Sequence, residues 1–144
     1  GTLLMLNDTA IAWASRRQHL TATSSMEAEY MAAAECAKDV LFVRNLLRSL
    51  GFTINSPTII YEDNEAAQHL IENHQLNKRS RHIDLRFHFI RHQVFAGHLG
   101  MVHIDTKRQL ADIFTKAGIS RESLEEFRAI IMGHSRVKNW GPSS

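Results

Sequence analysis

Short apolar runs alternate with longer stretches of helical periodicity along the chain, and this pattern predicts an opening hairpin followed by helices and strands. Thr2 to Leu6 and Ala10 to Ala14 are both apolar runs. Asn7, Asp8 and Thr9 join them, and a short polar connection of this composition is typical of a β-hairpin.

A long helix is predicted from about residue 24 to residue 50. Ser24 followed by Glu27 three residues later has the form of a capping box, and Gly51 has the position of a glycine that ends a helix. The apolar positions between them are separated by steps of three and four, which is the period of one helix face. The predicted buried face consists of Ala33, Cys36, Val40, Val43, Leu47 and Leu50.

Strands and helices alternate over the rest of the chain. Thr58 to Tyr61 is a short and nearly all-apolar strand, of the kind that is buried on both faces. The later predicted elements are a helix from Glu65 to Glu72, a helix from Leu85 to Ala96 that Asp84 caps, a strand from Leu99 to Ile104, a helix from Lys107 to Lys116, and a helix that Ser120 caps and that ends at Gly133. This order predicts one α/β domain over residues 1–133 and a flexible tail over residues 134–144.

The composition narrows the class of protein. The chain has 144 residues, 44% of them hydrophobic and 22% charged, which suits one soluble domain and is too apolar for disorder. Cys36 is the only cysteine, so an internal disulfide is excluded and an intracellular location, cytoplasmic or nuclear, is expected. The net charge of +2 permits a nucleic-acid partner without requiring one.

Each of three carboxylates can be interpreted either as a ligand in a functional site or as a residue with an ordinary structural role. Glu29 lies four residues before Ala33, in phase with the predicted buried face, but also in a first helical turn, where a negative charge suits the helix dipole. Asp63 follows the predicted strand, where α/β sheets bind ligands, but it can equally cap the next helix. Asp112 lies at the edge of an apolar helix face and, taken alone, favours an exposed position.

The three carboxylates come from a helix start, a strand end and a late helix, and they can meet only if the sheet brings them together. Oxygen ligands from separate elements suit Mg²⁺, for which Mn²⁺ can substitute. Two such ions about 4 Å apart can activate water and stabilise the leaving oxygen of a phosphodiester. The sequence contains no Ser-His-Asp signature, phosphate-binding glycine-rich loop or HExxH motif that would indicate a different chemistry.

Five blocks of the sequence, in this order, resemble the ribonuclease H domain of copia-type retrotransposon polyproteins. They are Ala10 to Gln18, Ser24 to Tyr30, Tyr61 to Asn64, Arg81 to Arg91 and Gln109 to Lys116. The resemblance implies a ribonuclease H-like fold, in which helices flank a mixed sheet, and two-metal hydrolysis of RNA in an RNA–DNA hybrid. It further implies that Glu29, Asp63 and Asp112 are metal ligands.

The family's pattern also has a first strand, which carries another acidic ligand and lies centrally in the sheet. Gly1 falls inside the second strand of that pattern. We therefore expect the first central strand to be missing from residues 1–144, and activity to be impaired unless an aspartate is supplied. The open sheet edges would need partners, either through self-association or through a strand from another chain.

Basic clusters predict contacts with nucleic-acid phosphates, which give affinity without sequence readout. The residues concerned are Arg16, Arg17, Lys78, Arg79 and Arg81. The sequence is compatible with two functions of different classes. The first is a ribonuclease H domain that acts on RNA–DNA hybrids. The alternative is a co-opted, non-catalytic retroelement fragment that binds protein through its open sheet edges.

Overall fold

The computed structural model describes residues 1–15, 25–64 and 81–135, with the side chains of residues 25–30, 81–84 and 87 left outside that description. The predicted helix from Glu65 to Glu72 and most of the predicted tail therefore lie outside the described residues. The described elements are β1 (Thr2–Leu6), β2 (Thr9–Ala14), α1 (Ser25–Ser49), β3 (Thr58–Glu62), α2 (Arg81–Phe95), β4 (Leu99–His103), two short 3₁₀ helices (Thr106–Arg108 and Leu110–Phe114) and α3 (Arg121–Ile131). This confirms the predicted α/β class.

The chain divides into two compact units. The first contains the N-terminal hairpin and the C-terminal segment, residues 1–17 and 108–144. The second contains residues 18–107. The prediction of one domain over residues 1–133 stays a prediction, and each unit is described by itself.

The first unit is built on the hairpin of β1 and β2, which pair antiparallel as predicted. Asn7 and Asp8 connect the strands with φ angles of 52° and 62°, so both central residues adopt the left-handed conformation. Two-residue hairpin turns require this conformation because it matches the twist of the strands, and Asn and Asp tolerate it better than other residues with a Cβ atom. The composition of the turn therefore accounts for the hairpin.

The C-terminal helix α3 covers one side of the core of the first unit. Ser120 caps it as predicted, since its Oγ accepts a hydrogen bond of 3.1 Å from the backbone N–H of Ser123. Phe127 and Ile130 of α3 are buried together with Leu110, and partly buried apolar side chains complete this cluster: Leu3, Met5 and Ile113. The hairpin, the second 3₁₀ helix and α3 thus share one small core.

The prediction of an α-helix from Lys107 to Lys116 is wrong, because this segment forms two short 3₁₀ helices. The carboxylate of Asp105 accepts a 2.8 Å hydrogen bond from the N–H of Lys107, which starts a tight turn there. Gln109 is then extended, with φ −74° and ψ 94°, so the helical path is interrupted after three residues. The second 3₁₀ helix places Leu110 and Ile113, three residues apart, against the same core.

The second unit is organised by β3 and β4, which pair in parallel from Thr58 opposite Leu99 to Glu62 opposite His103. Helices α1 and α2 pack against each other and against these strands. The buried apolar residues of this unit are Ala33, Ala34, Ala37, Val40, Ile60, Ile90, Leu99 and Ile104. Helix α2 begins at Arg81, earlier than predicted, so Asp84 lies inside the helix and does not cap it.

Strand β3 is not buried on both faces, contrary to the prediction. Ile60 is buried, but Ile59 on the opposite face is 39% exposed. Gly100 lies opposite Ile59 in the pair, and a Cβ atom on Gly100 would come within 2.7 Å of the Ile59 side chain. The Ile59 side chain therefore packs against the backbone of Gly100, while its other side is exposed to solvent.

Helix α1 ends as predicted, but its buried face is rotated. Gly51 has a φ of 89°, and the N–H of Phe52 donates to the carbonyl of Leu47, which is the hydrogen bond of a glycine-terminated helix. Ala33 and Val40 are buried as predicted, whereas Leu50 is 66% exposed. The most buried positions are Ala33, Ala34, Ala37, Val40 and Arg44, because small alanines let the helix approach its neighbours closely.

Arg44 continues this buried face as a charged residue, and it is only 4% exposed. Its Nη1 donates to the carbonyl of Ser56 at 2.9 Å and to the hydroxyl of Thr58 at 2.8 Å. Its Nε, which is buried, has no partner. Burial lowers the pKa of the guanidinium, and the nearby charge of Arg48 adds to this effect. Arg44 thus ties α1 to the start of β3 at a cost in solvation.

Removing the Arg44 side chain should destabilise the second unit. We expect Arg44→Ala to lower the free energy of unfolding by about 2–4 kcal/mol, because it leaves a cavity and removes the donor of two partly buried hydrogen bonds. Arg44→Met, which fills the space, should cost less. Arg48→Ala, one turn later on an exposed position, should change stability by no more than about 0.5 kcal/mol. Urea unfolding of the three variants measures this, and equal losses for positions 44 and 48 would contradict it.

Candidate metal-binding carboxylates

Asp63 directly follows β3 and is half-buried. Because β3 and β4 are parallel, their carboxyl ends lie at the same edge, and Glu62 pairs there with His103. The N–H of Ile104 donates to the carbonyl of Glu62 at 3.0 Å, which keeps the chain after β4 beside the residue before Asp63. The structure thus places Asp63 where the sequence predicted it, at the carboxyl end of a strand, the usual position for ligand-binding residues in α/β sheets.

Negative charge also surrounds Cys36 on α1. Burial raises the pKa of its thiol to about 11, and the carboxylates of Asp39 and Glu62 contribute to the increase. Glu62 immediately precedes Asp63, so this end of β3 carries two consecutive carboxylates. The raised pKa of Cys36 therefore reflects, besides burial, carboxylates that lie close to this end of β3.

Glu29 lies in α1, and its side chain is outside the description. Position 29 is one helical turn before Ala33 and two before Ala37, both of which are buried. Helix α1 packs against β3. At about 100° per residue, position 27 is about 200° away around the helix. Ala34, which is fully buried, lies seven residues after position 27, so the phase of the helix does not separate Glu29 from Glu27, and that choice stays a prediction.

Asp112 lies in the first unit, on the second 3₁₀ helix. Its side chain is 17% exposed, so the expectation that Asp112 by itself favours an exposed position is wrong. Its Oδ2 accepts a 2.6 Å hydrogen bond from the Nζ of Lys116. Its backbone carbonyl accepts from the N–H groups of Thr115 and Lys116. The carboxylate is thus fixed in place and paired with a cation.

The convergence of the three carboxylates stays a prediction. Position 29 and Asp63 belong to one unit and Asp112 belongs to the other. Among the side chains that the structure describes, no three His, Cys, Asp or Glu residues are grouped closely enough to hold a metal. Of the predicted phosphate contacts, Arg81 begins α2 with its side chain undescribed. The others lie outside the described ranges: Arg16, Arg17, Lys78 and Arg79.

Two charged residues of interest did not follow from the predicted pattern. Arg44 stands four residues after Val40 and seven after Ala37, so the helical period itself places it on the buried face. Lys116 stands four residues after Asp112, a spacing at which opposite charges meet on a helical surface. Both signals were present in the sequence. The first is easily missed because buried helix faces are usually apolar, and the second because a half-exposed lysine resembles an ordinary surface charge.

The described elements form a mixed α/β architecture that is compatible with a ribonuclease H-like fold. The chain is homologous to retrovirus-related Pol polyproteins of copia-type transposons, which makes it a retroelement-derived sequence. No protein-family model matches the chain, and no solved structure matches it. None of the described helices is both long and apolar enough to cross a membrane.

Three of these relatives come from plants. The chain is 38% identical over 137 residues to the retrovirus-related Pol polyprotein from transposon RE1 of Arabidopsis thaliana. It is 39% identical over 127 residues to that from transposon RE2 of the same plant, and 33% identical over 135 residues to that from transposon TNT 1-94 of Nicotiana tabacum. These alignments cover 95%, 88% and 94% of the chain but only 9%, 9% and 10% of the polyproteins.

The raised pKa of Cys36 predicts a loss of stability at alkaline pH. The folded thiol keeps its proton up to about pH 11, whereas the thiol of the unfolded chain loses it near pH 9. The stabilisation is therefore fully present below pH 9 and declines as the pH rises through 11. We expect this to remove about 2 kcal/mol from the free energy of unfolding.

Denaturant unfolding between pH 8 and pH 11 measures this change. The Cys36→Ala variant is the control, because lysines and tyrosines titrate in the same range in both proteins. The parent should lose more stability across this window than Cys36→Ala. Parallel curves for the two proteins would show that Cys36 is not the group responsible.

Proposed function

We propose that this chain is a ribonuclease H-type domain of a retrotransposon polyprotein and hydrolyses RNA in RNA–DNA hybrids. The observation that carries the proposal is the position of Asp63, a half-buried carboxylate at the carboxyl end of a strand in a parallel pair. Homology to Pol polyproteins over nearly the whole chain supports it. Since the chain spans about a tenth of those relatives, the activity is proposed for this segment alone.

The chemistry of the proposed ligands fits Mg²⁺, with Mn²⁺ as a substitute. Glu29, Asp63 and Asp112 offer only carboxylate oxygens, which hard divalent cations prefer. Asp63 and Asp112 are half-buried, so neither carboxylate is fully solvated. When bound, Mg²⁺ would supply an activated water and stabilise the charge on the leaving oxygen. The residues of the chain would hold the ions, orient them and limit access of bulk water.

Contacts with the hybrid are proposed for Arg16, Arg17, Lys78, Arg79 and Arg81. Arginine and lysine bind phosphates whatever the base sequence, so these residues would position the duplex rather than select a sequence. A hybrid with A-like geometry would be recognised by the shape of its groove and by the 2′-hydroxyls of its RNA strand. Binding should weaken as the salt concentration rises.

The second candidate is a co-opted, non-catalytic retroelement fragment that binds protein. The observation that favours it is the strand pairing, because β1 pairs only with β2 and β3 only with β4 among the described strands. An unpaired strand side can accept a strand from a second copy or from another protein. A hybrid-cleavage assay separates the two functions, since this candidate requires no hydrolysis.

The proposed activity predicts cleavage of the RNA strand of a hybrid by the 144-residue chain in Mg²⁺ or Mn²⁺. Asp63→Asn should lower the rate by about 100-fold or more, since it replaces a charged ligand by a neutral one of the same shape. A second form of the chain, preceded by a strand that carries an aspartate, should cleave faster, because the resemblance assigns a further acidic ligand to that strand. Gel analysis of a labelled hybrid measures all three.

Single-stranded RNA and duplex DNA serve as substrate controls. Cleavage that survives in Asp63→Asn would mean that Asp63 is not a ligand or that another nuclease is present. If neither form of the chain cleaves the hybrid, the non-catalytic candidate is favoured instead.

Metal binding also predicts a change in thermal stability. A cation that binds only the folded protein stabilises it by mass action, so Mn²⁺ should raise the melting temperature of the parent. Asp112→Asn should not respond, because it removes a charged ligand. Equal increases in both proteins would show that Asp112 does not bind the metal, and Ca²⁺ or added NaCl at matched ionic strength controls for general screening.

A further inference from the structure

We propose that Lys116 occupies the Asp112 carboxylate when no divalent cation is bound, and that a cation must displace its ammonium group. Lys116 would then lower the affinity of the site for metal and set the concentration at which the site fills. The inference rests on the proposed function, in which Asp112 is a ligand.

The geometry of the pair is set by the local backbone. Lys116 follows the second 3₁₀ helix by two residues, and its N–H donates to the carbonyl of Asp112 at 2.8 Å. This closes a turn that brings the two side chains together, and Nζ reaches Oδ2 at 2.6 Å. The contact is therefore formed across four consecutive peptide units.

The difference in exposure between the partners suggests which one moves. The Asp112 side chain is 17% exposed, whereas that of Lys116 is 49% exposed. A carboxylate largely removed from water needs a compensating charge, and the ammonium supplies it. Lys116 has a flexible stem and substantial contact with solvent, so it can leave without being buried elsewhere. Asp112 would then keep its position and exchange one cation for another.

Competition follows where the metal ion uses Oδ2, the oxygen that accepts the hydrogen bond from the ammonium. Both are positive, so they repel each other when they approach one carboxylate. A metal that binds through Oδ2 must therefore break the contact with Nζ. From the modest strength of partly exposed ion pairs, we expect Lys116 to weaken Mn²⁺ binding by about 3- to 10-fold.

The test is calorimetric titration of Mn²⁺ into the parent chain and its Lys116→Met variant at constant ionic strength. We expect Lys116→Met to bind Mn²⁺ about 3- to 10-fold more tightly. Lys116→Arg keeps a cation opposite Asp112 and should bind no more tightly than the parent. Arg121→Met removes a cation from an exposed i, i+4 pair with Glu125 in the same unit, so it controls for the loss of one positive charge.

Melting temperatures give a second measurement, in which Lys116→Met should have opposite effects on the stability of the metal-free protein and on the stabilisation by Mn²⁺. Without metal, Lys116→Met should melt at a lower temperature than the parent, because a half-buried carboxylate has lost its partner. With Mn²⁺, its melting temperature should rise by more than that of the parent. A purely structural role for Lys116 would give the first change without the second. Lys116→Gln repeats both measurements with a polar replacement should Lys116→Met fail to fold.

The outcomes separate this inference from the function on which it rests. If Asp112→Asn binds Mn²⁺ as the parent does, Asp112 is not a ligand and both ideas are overturned. If Asp112→Asn loses Mn²⁺ binding while Lys116→Met binds no more tightly than the parent, only the role of Lys116 is overturned. The role of Lys116 is likewise overturned if Arg121→Met gains as much affinity for Mn²⁺ as Lys116→Met does. If neither the parent nor Lys116→Met binds Mn²⁺, both ideas are overturned.

Discussion

The parallel pairing of β3 and β4 is the constraint on which the second unit depends. A tight turn cannot join parallel strands, so the chain between Glu62 and Leu99 must return to the opposite end before β4 begins. Helix α2 lies within that return and packs on β4 and on α1. The same constraint brings the carboxyl ends of both strands together. Asp63 and the residues that follow β4 therefore lie at the same end of the strand pair.

Charge is distributed differently in the two units. Near the end of β3, the carboxylates of Glu62 and Asp39 raise the pKa of the Cys36 thiol beyond the effect of burial. Around Asp112, by contrast, a lysine one turn away balances the carboxylate locally.

Much of the fold was predictable where local chemistry decides the structure. The hairpin follows from two residues that tolerate positive φ, and α3 follows from a serine whose hydroxyl satisfies a free N–H group. The buried face of α1 was placed only in part, because apolar periodicity does not reveal a guanidinium that hydrogen bonds to a neighbouring loop. The 3₁₀ segment was mistaken for an α-helix, since Asp105 and the extended Gln109 interrupt a pattern that apolar spacing alone supports.

The candidate site was predictable to a similar degree. The order of the elements placed Asp63 at a strand end, and the resemblance selected Glu29 and Asp112. The i, i+4 spacing of Asp112 and Lys116 was visible in the sequence and is compatible with an ion pair. The spacing does not give the turn after the second 3₁₀ helix, which sets the geometry of the contact.

The environment of Cys36 has a consequence for the reactivity of the protein. Thiolates, and not thiols, attack alkylating reagents, peroxides and disulfides, and the raised pKa of Cys36 keeps its thiolate scarce at neutral pH. As the chain has no other cysteine, its folded form should not form disulfide-linked dimers readily, and the Cys36 thiol itself should react slowly with oxidants.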